Sequence, residues 1–92
     1  MTALIFDTET YRWDFDRHAI AFVAFDGPRR VLCLIAGEAL QDYFGAATAR
    51  ESMEAAFLRN RARIEEKARE LYRAGRVDSQ GRVLLHGIEF RR

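Results

Sequence analysis

Hydrophobic positions change period inside one short stretch of this chain, Val31 to Gly45. Val31, Cys33 and Ile35 alternate with Leu32 and Leu34 at strand spacing. Leu40, Tyr43 and Phe44 then fall at i, i+3 and i+4, the spacing of a helix. His18 to Phe25 alternates in the same way. Ile20, Phe22 and Ala24 point to one side; Ala19, Ala21, Val23 and Phe25 point to the other. Asp26-Gly27-Pro28-Arg29 lies between the two runs and reads as a turn, so residues 18–36 predict a hairpin. Leu4–Phe6 and Arg82–His86 predict short strands at either end. Asp7 to Asp16 is polar with aromatic interruptions and reads as a loop or irregular edge.

Two helices follow the hairpin. Glu38 to Phe44 is short, with Gly45 where a helix-terminating residue belongs. Thr48-Ala49-Arg50-Glu51 has the form of a capping box and predicts the start of a long helix. That helix is expected to run to about Ala74, stopped by Gly75, with Met53, Phe57, Ile64, Ala68, Leu71 and Tyr72 as its apolar stripe. The predicted order is β-β-β-α-α-β. It describes an α+β fold in which a small antiparallel sheet packs on a short and a long helix. At 92 residues the whole chain, 1–92, is expected to be a single domain.

Composition narrows the functional classes. An apolar share of 49% with 32% charged residues is that of a globular protein. No apolar run approaches the roughly 18–20 residues of a membrane span. The segment MTALIFDTET lacks the basic and apolar regions of a secretory signal. A single cysteine makes neither an internal disulfide nor a zinc site, and a cytoplasmic setting is expected. The net charge of +1 argues against a strongly electrostatic nucleic-acid binder. Fourteen of the fifteen basic residues are arginine, a usage that a GC-rich bacterial genome explains as well as function does.

The same segments carry a resemblance. WDFDRHAIAFVAFDG leads into VLCLIAGEALQDYFGA, then FLRNRARIEEKARELYRAG, then RVLL. Nearly the whole chain resembles the small bacterial family catalogued as domain of unknown function 1488. The most specific parts are Cys33-x-Ile35…Glu38-Ala39-Leu40…Phe44-Gly45-Ala46 and Phe57…Asn60-Arg61…Ile64-Glu65. Ala36 departs from the pattern, since the family often has a serine there that could cap the first helix. The resemblance implies an α+β fold and a small stand-alone protein. It brings no catalytic residue, cofactor or ligand.

Candidate chemistry is sparse. Ile5-Phe6-Asp7-Thr8-Glu9-Thr10 mimics the first motif of the DnaQ-like exonucleases, where Asp-x-Glu helps to hold two metal ions. The further acids and the chain length of those enzymes are missing. An enzyme with a carboxylate site near Asp7 and Glu9 is therefore the third reading. Asp14 and Asp16 lack the glycine and glutamate of a calcium loop. His18 and His86 have no partner at ligand spacing, and Cys33 reads as a small buried hydrophobe. No metal and no cofactor is expected.

Arg59, Arg63, Arg73 and Arg76 of the long helix are candidate phosphate contacts, expected to share a surface with Arg29, Arg30, Arg82, Arg91 or Arg92. Against this, Arg61–Glu65, Glu65–Arg69, Glu66–Arg69 and Glu70–Arg73 stand at ion-pair spacing and predict a self-neutralised face. Asn60 lies on or beside the apolar stripe. It is expected to fix the loop Ala46–Ala49 or the hairpin end, with a polar specifier between subunits as the alternative.

Two features suggest that a monomer is incomplete. The hairpin is apolar on both faces, whereas a sheet with one wet face alternates apolar with polar. A helix from 49 to 74 would be about 37 Å long, longer than the roughly 32 Å diameter of such a domain. Ala21, Val23, Phe25, Leu32, Leu34, Leu71 and Tyr72 are accordingly the expected interaction surface, for an unidentified protein or for a second copy in a homodimer. The opposing expectation is that residues 1–16 fold over the second face, using Phe6, Tyr11, Trp13 and Phe15. The leading reading is a non-enzymatic protein-interaction or self-associating module. A small regulatory nucleic-acid-binding protein is the runner-up.

Overall fold

The computed structural model describes residues 4–91. Its centre is the hairpin β3 (Ala19–Asp26) and β4 (Arg29–Ala36), paired antiparallel from Ala19↔Ala36 to Asp26↔Arg29. The loop between them is only Gly27-Pro28. Gly27 takes a φ of 59°, the left-handed conformation that a tight hairpin turn of this kind requires. The expected first strand is present as β1 (Ile5–Phe6), antiparallel to β3.

The Asp7–Asp16 segment is more ordered than its polarity suggests. Arg12–Asp14 forms a strand, β2, paired with Ala19–Ala21 of β3. β1 and β2 therefore lie end to end along the same edge of β3. Of the two expectations for this segment, the edge holds at residues 12–14: pairing to β3 keeps them extended, and Trp13 is buried on the core side.

α1 (Gly37–Tyr43) starts directly from β4. Ala36 offers no capping side chain, and the Gly37 amide donates instead to the His18 carbonyl at 2.9 Å. α2 (Arg50–Arg59) and α3 (Arg61–Arg73) occupy the span expected of one long helix. The break is at Asn60, which has φ −117° and ψ 18°. Its side-chain amide donates to the Ala56 carbonyl at 2.9 Å, and its backbone amide is shared between Ala56 and Phe57. Asparagine competes for helix carbonyls in this way, which is why it is a poor interior residue. Among the described residues Asn60 bonds to neither the 46–49 loop nor the hairpin end; it divides the helix. The whole described chain is 37 × 28 × 23 Å, and the division lets both halves pack on one sheet face.

The Thr48 capping box is not formed. The N-cap is Ala49 with no side-chain bond, and Ser52 Oγ accepts from the Ala47 amide at 2.8 Å. At the other end the expectation holds. Gly75 has φ 74°, the Arg76 amide reaches Leu71 and the Gly75 amide reaches Tyr72, a Schellman closure.

β5 (Val83–Leu85) returns parallel to β4, with Cys33↔Val83 and Ile35↔Leu85. The sheet is therefore mixed, though mostly antiparallel, in the order β1/β2-β3-β4-β5. A 3₁₀ turn, Gly87–Phe90, closes the described chain. The architecture is α+β, with three helices on one sheet face. Ile20, Phe22, Val31, Cys33, Ile35, Val83 and Leu85 meet Leu40, Met53, Phe57, Ile64 and Leu71 in the core.

Candidate outer-face contact site

The sheet has a second face, and no described element lies over it. Pairing registers lay out its rows. Arg12, Ala21, Leu34 and Leu84 form one row; Val23, Leu32 and Arg82 the next; Ile5, Phe25 and Arg30 a third. Ala19, Ala21 and Leu34 pack together there as a cluster separate from the core, with Leu32 and Leu84 against them. Ile5 is 71% exposed and Phe25 38%. Among the described residues, which leave out 1–3, the aromatic side chains of the N-terminal segment do not cover this face, and Phe15 is exposed beside Trp13. Trp13 belongs to the core, and Phe6 and Tyr11 pack against it.

Five of the residues expected to form the interaction surface, Ala21, Val23, Phe25, Leu32 and Leu34, lie together on this face. Leu71 and Tyr72 do not join them. Leu71 is buried in the core, and Tyr72 packs against it while its hydroxyl donates to Asp26 Oδ2. The broken helix explains the correction: α3 stays over the sheet, so Leu71 and Tyr72 pack within the chain.

Arginines frame the outer face, a feature that residue periodicity on the helices does not reveal. Arg12, Arg30, Leu32, Ala21 and Val23 line a shallow hollow of about 210 Å³ with Thr10 and Tyr11. A second hollow, of about 260 Å³, is lined by Arg17, Ala19, Leu34, Ala36, Leu84 and His86. Arg17 pairs with Asp14 at 3.2 Å and Arg82 with Asp78 at 2.7 Å. Among the described residues Arg12 and Arg30 have no ion-pair partner. Arg30 shares parity with Leu32 and Leu34, so it was legible as an outer-face residue. Arg12 becomes one only through the pairing of β2.

The helix arginines are placed differently. Arg59 and Arg73 are exposed, Arg63 lies over the Phe44 ring at 5.2 Å, and Arg76 pairs with Glu89 at 2.9 Å. Arg61–Glu65 and Glu66–Arg69 pair as spaced, while Glu70 pairs with Lys67 rather than Arg73. Arg59, Arg63 and Arg73 belong to the helix layer, across the sheet from Arg30 and Arg82. They share no surface with Arg30 or Arg82, but Arg63 and Arg91 line one groove, with Glu66, Glu70 and Glu89 standing among them; Arg92 lies outside the described residues.

Asp7 acts as a turn former. Its carboxylate accepts from Thr10 Oγ1 at 2.8 Å and from the Glu9 amide at 3.2 Å, and these bonds hold it below the usual carboxylate range. No group of three or more metal-ligating side chains exists among the described residues. A groove of about 360 Å³ between α3 and the 3₁₀ turn is lined by Arg63, Glu66, Lys67, Glu70, Glu89, Phe90 and Arg91, a mostly charged wall rather than an apolar pocket. Burial, with a smaller push from Glu65, raises the Cys33 thiol to about 12. Native protein at about pH 8 is expected to resist a thiol-exchange reagent and to react fully once unfolded in urea. Fast reaction of the native chain would contradict this buried placement.

A family described as "Protein of unknown function (DUF1488)" matches residues 4–85. The chain belongs to the DUF1488 family. A solved structure of a DUF1488 protein of unknown function from Shewanella loihica PV-4 is similar to it, at 26% identity. The likeness covers 90% of this chain and 91% of that one, with a TM-score of 0.82. No curated protein matches the chain. No described helix of this DUF1488 protein is long and apolar enough to cross a membrane.

Proposed function

We propose that this DUF1488 protein is a non-enzymatic contact module that docks another protein on its outer sheet face. The observation that carries the reading is the second apolar cluster, in which buried Ala19, Ala21 and Leu34 are flanked by partly buried Leu32 and Leu84, with Phe25 and Ile5 exposed on the same face. Contiguous apolar surface of this kind, rimmed by polar groups, marks interaction sites. The occupant is a partner with acidic and apolar residues, because the rim is cationic. A second copy of the chain is a poorer match. A two-fold interface sets the same patch against itself, and Arg12 and Arg30 have no available carboxylate on that patch. The single buried thiol fits a cytoplasmic setting.

Affinity purification from the native host tests the reading, using wild type and the double variant Leu32→Ser/Leu84→Ser. Both positions are only partly buried, so the variant is expected to keep its circular dichroism spectrum. The expected result is a partner recovered in near-stoichiometric amount with wild type and lost with the variant. Recovery of the same proteins by both, or of none by wild type, overturns the proposal. Sedimentation equilibrium at micromolar concentration identifies self-association, which would replace the foreign partner by a second copy.

A further inference from the structure

Resting on that reading, we infer that the hollow between Arg12 and Arg30 is a socket for a carboxylate side chain of the partner. The socket arises from the way the sheet edge is built. β1 stops at Phe6 and β2 begins at Arg12, so on this edge no strand pairs with Phe22 and Val23 of β3, which pair only with β4. The chain leaves the sheet after the Asp7 amide donates to the Val23 carbonyl at 3.0 Å. The gap is walled by Thr10 and Tyr11 and floored by Val23 and Leu32.

Arg12 sits opposite Ala21, and Arg30 sits opposite Phe25. Those β3 positions are four residues, about 13 Å, apart, and the two arginines stand on strands either side of β3, a further ~9–10 Å apart across the sheet. Long side chains reaching in from either end can meet over the row between them. Both arginines line the one hollow, and neither has an ion-pair partner among the described residues. Guanidinium groups take carboxylates through paired hydrogen bonds. An apolar floor keeps water away from such bonds and strengthens them.

Other occupants fit less well. At about 210 Å³ the hollow is below the roughly 300 Å³ where small-molecule pockets begin. A phosphate in single-stranded RNA also suits arginine. RNA-binding sheets, however, carry two or three stacking aromatics, and Phe25 is the one aromatic residue among the described rows of this face. The rows beside the hollow offer Leu34, Leu84 and Ile5, which suit aliphatic side chains. The chemistry therefore points to a peptide segment with an aspartate or glutamate next to apolar residues.

A phage library of random linear peptides, panned against the full chain, tests this. Recovered peptides are expected to share an acidic residue beside Leu, Ile, Val or Phe. Their affinity, read by fluorescence anisotropy, should fall about tenfold or more for Arg12→Gln/Arg30→Gln. It should also fall as salt rises from about 50 to 500 mM. Panning Arg12→Glu/Arg30→Glu should select basic peptides instead. Both positions are exposed, and circular dichroism checks that the variants fold. Failure to enrich any peptide overturns the socket, as do peptides lacking acids, affinities indifferent to the arginine changes, or RNA binding in place of peptide binding. If Leu32→Ser/Leu84→Ser loses the host partner while the arginine variants keep it, the contact reading survives and the socket alone fails.

Discussion

Replacing Phe57 by alanine is expected to destabilise the fold by about 3–5 kcal/mol, the usual cost of deleting a buried aromatic ring. Phe57 is fully buried on α2. Its ring centre stands 5.3 Å from that of Phe22 on β3 and 5.5 Å from that of Tyr11. One side chain thus joins the helix layer, the central strand and the segment leading into β2. Small domains hold only about 5–10 kcal/mol in total, so the variant should be largely unfolded at moderate urea. Phe57→Leu keeps most of the volume and should lose clearly less. Urea unfolding followed by circular dichroism measures both. A loss under about 1 kcal/mol for Phe57→Ala would mean the ring is not the junction described.

The second large effect is expected at Arg61, the first residue of α3. Its guanidinium donates to the Asp7 carbonyl at 2.6 Å, the Thr10 carbonyl at 2.8 Å and Glu65 at 3.0 Å. The side chains of Arg61 and Glu65 are only 11% and 12% exposed, so solvent screening is limited. Arg61→Ala should cost about 2–3 kcal/mol, because hydrogen bonds to a charged group are among the stronger ones and Glu65 is left unpaired. Lysine cannot span three acceptors and should restore only part of the loss. Hydrogen exchange should quicken in residues 7–11, the loop that walls the outer-face hollow. A cost no larger than that of Arg63→Ala, whose side chain is exposed, would remove Arg61 from this role.

How much of this was legible in the residues follows the range of the interactions. The hairpin, α1 and the stop at Gly75 depend on local period and on a single glycine, and they stand where expected. β2 depends on a partner strand: Arg12-Trp13-Asp14 is extended only because Ala19–Ala21 pairs with it. The break at Asn60 was hidden because its neighbours favour helix and one side-chain amide decides the matter. Thr48 carried a good capping pattern, yet the turn before α2 used Ser52 instead. For the candidate site, two-sided apolarity in the hairpin named Ala21, Val23, Phe25, Leu32 and Leu34. Leu71 and Tyr72 lie elsewhere because the break at Asn60, set by one side-chain amide, keeps α3 over the sheet. Arg12 was not legible, since its place on the face follows from a strand with no period of its own.

The end-to-end placement of β1 and β2 has a consequence for how this molecule avoids itself. An open strand edge recruits other chains by backbone pairing, and natural sheets blunt such edges. Here one border of β3 is occupied by strands of two and three residues, and the far border of the sheet is β5, of three residues. Both border strands are short, and the stretch of β4 that β5 leaves unpaired, Arg29–Leu32, carries two arginines. Growth into fibres by lateral strand addition is therefore disfavoured.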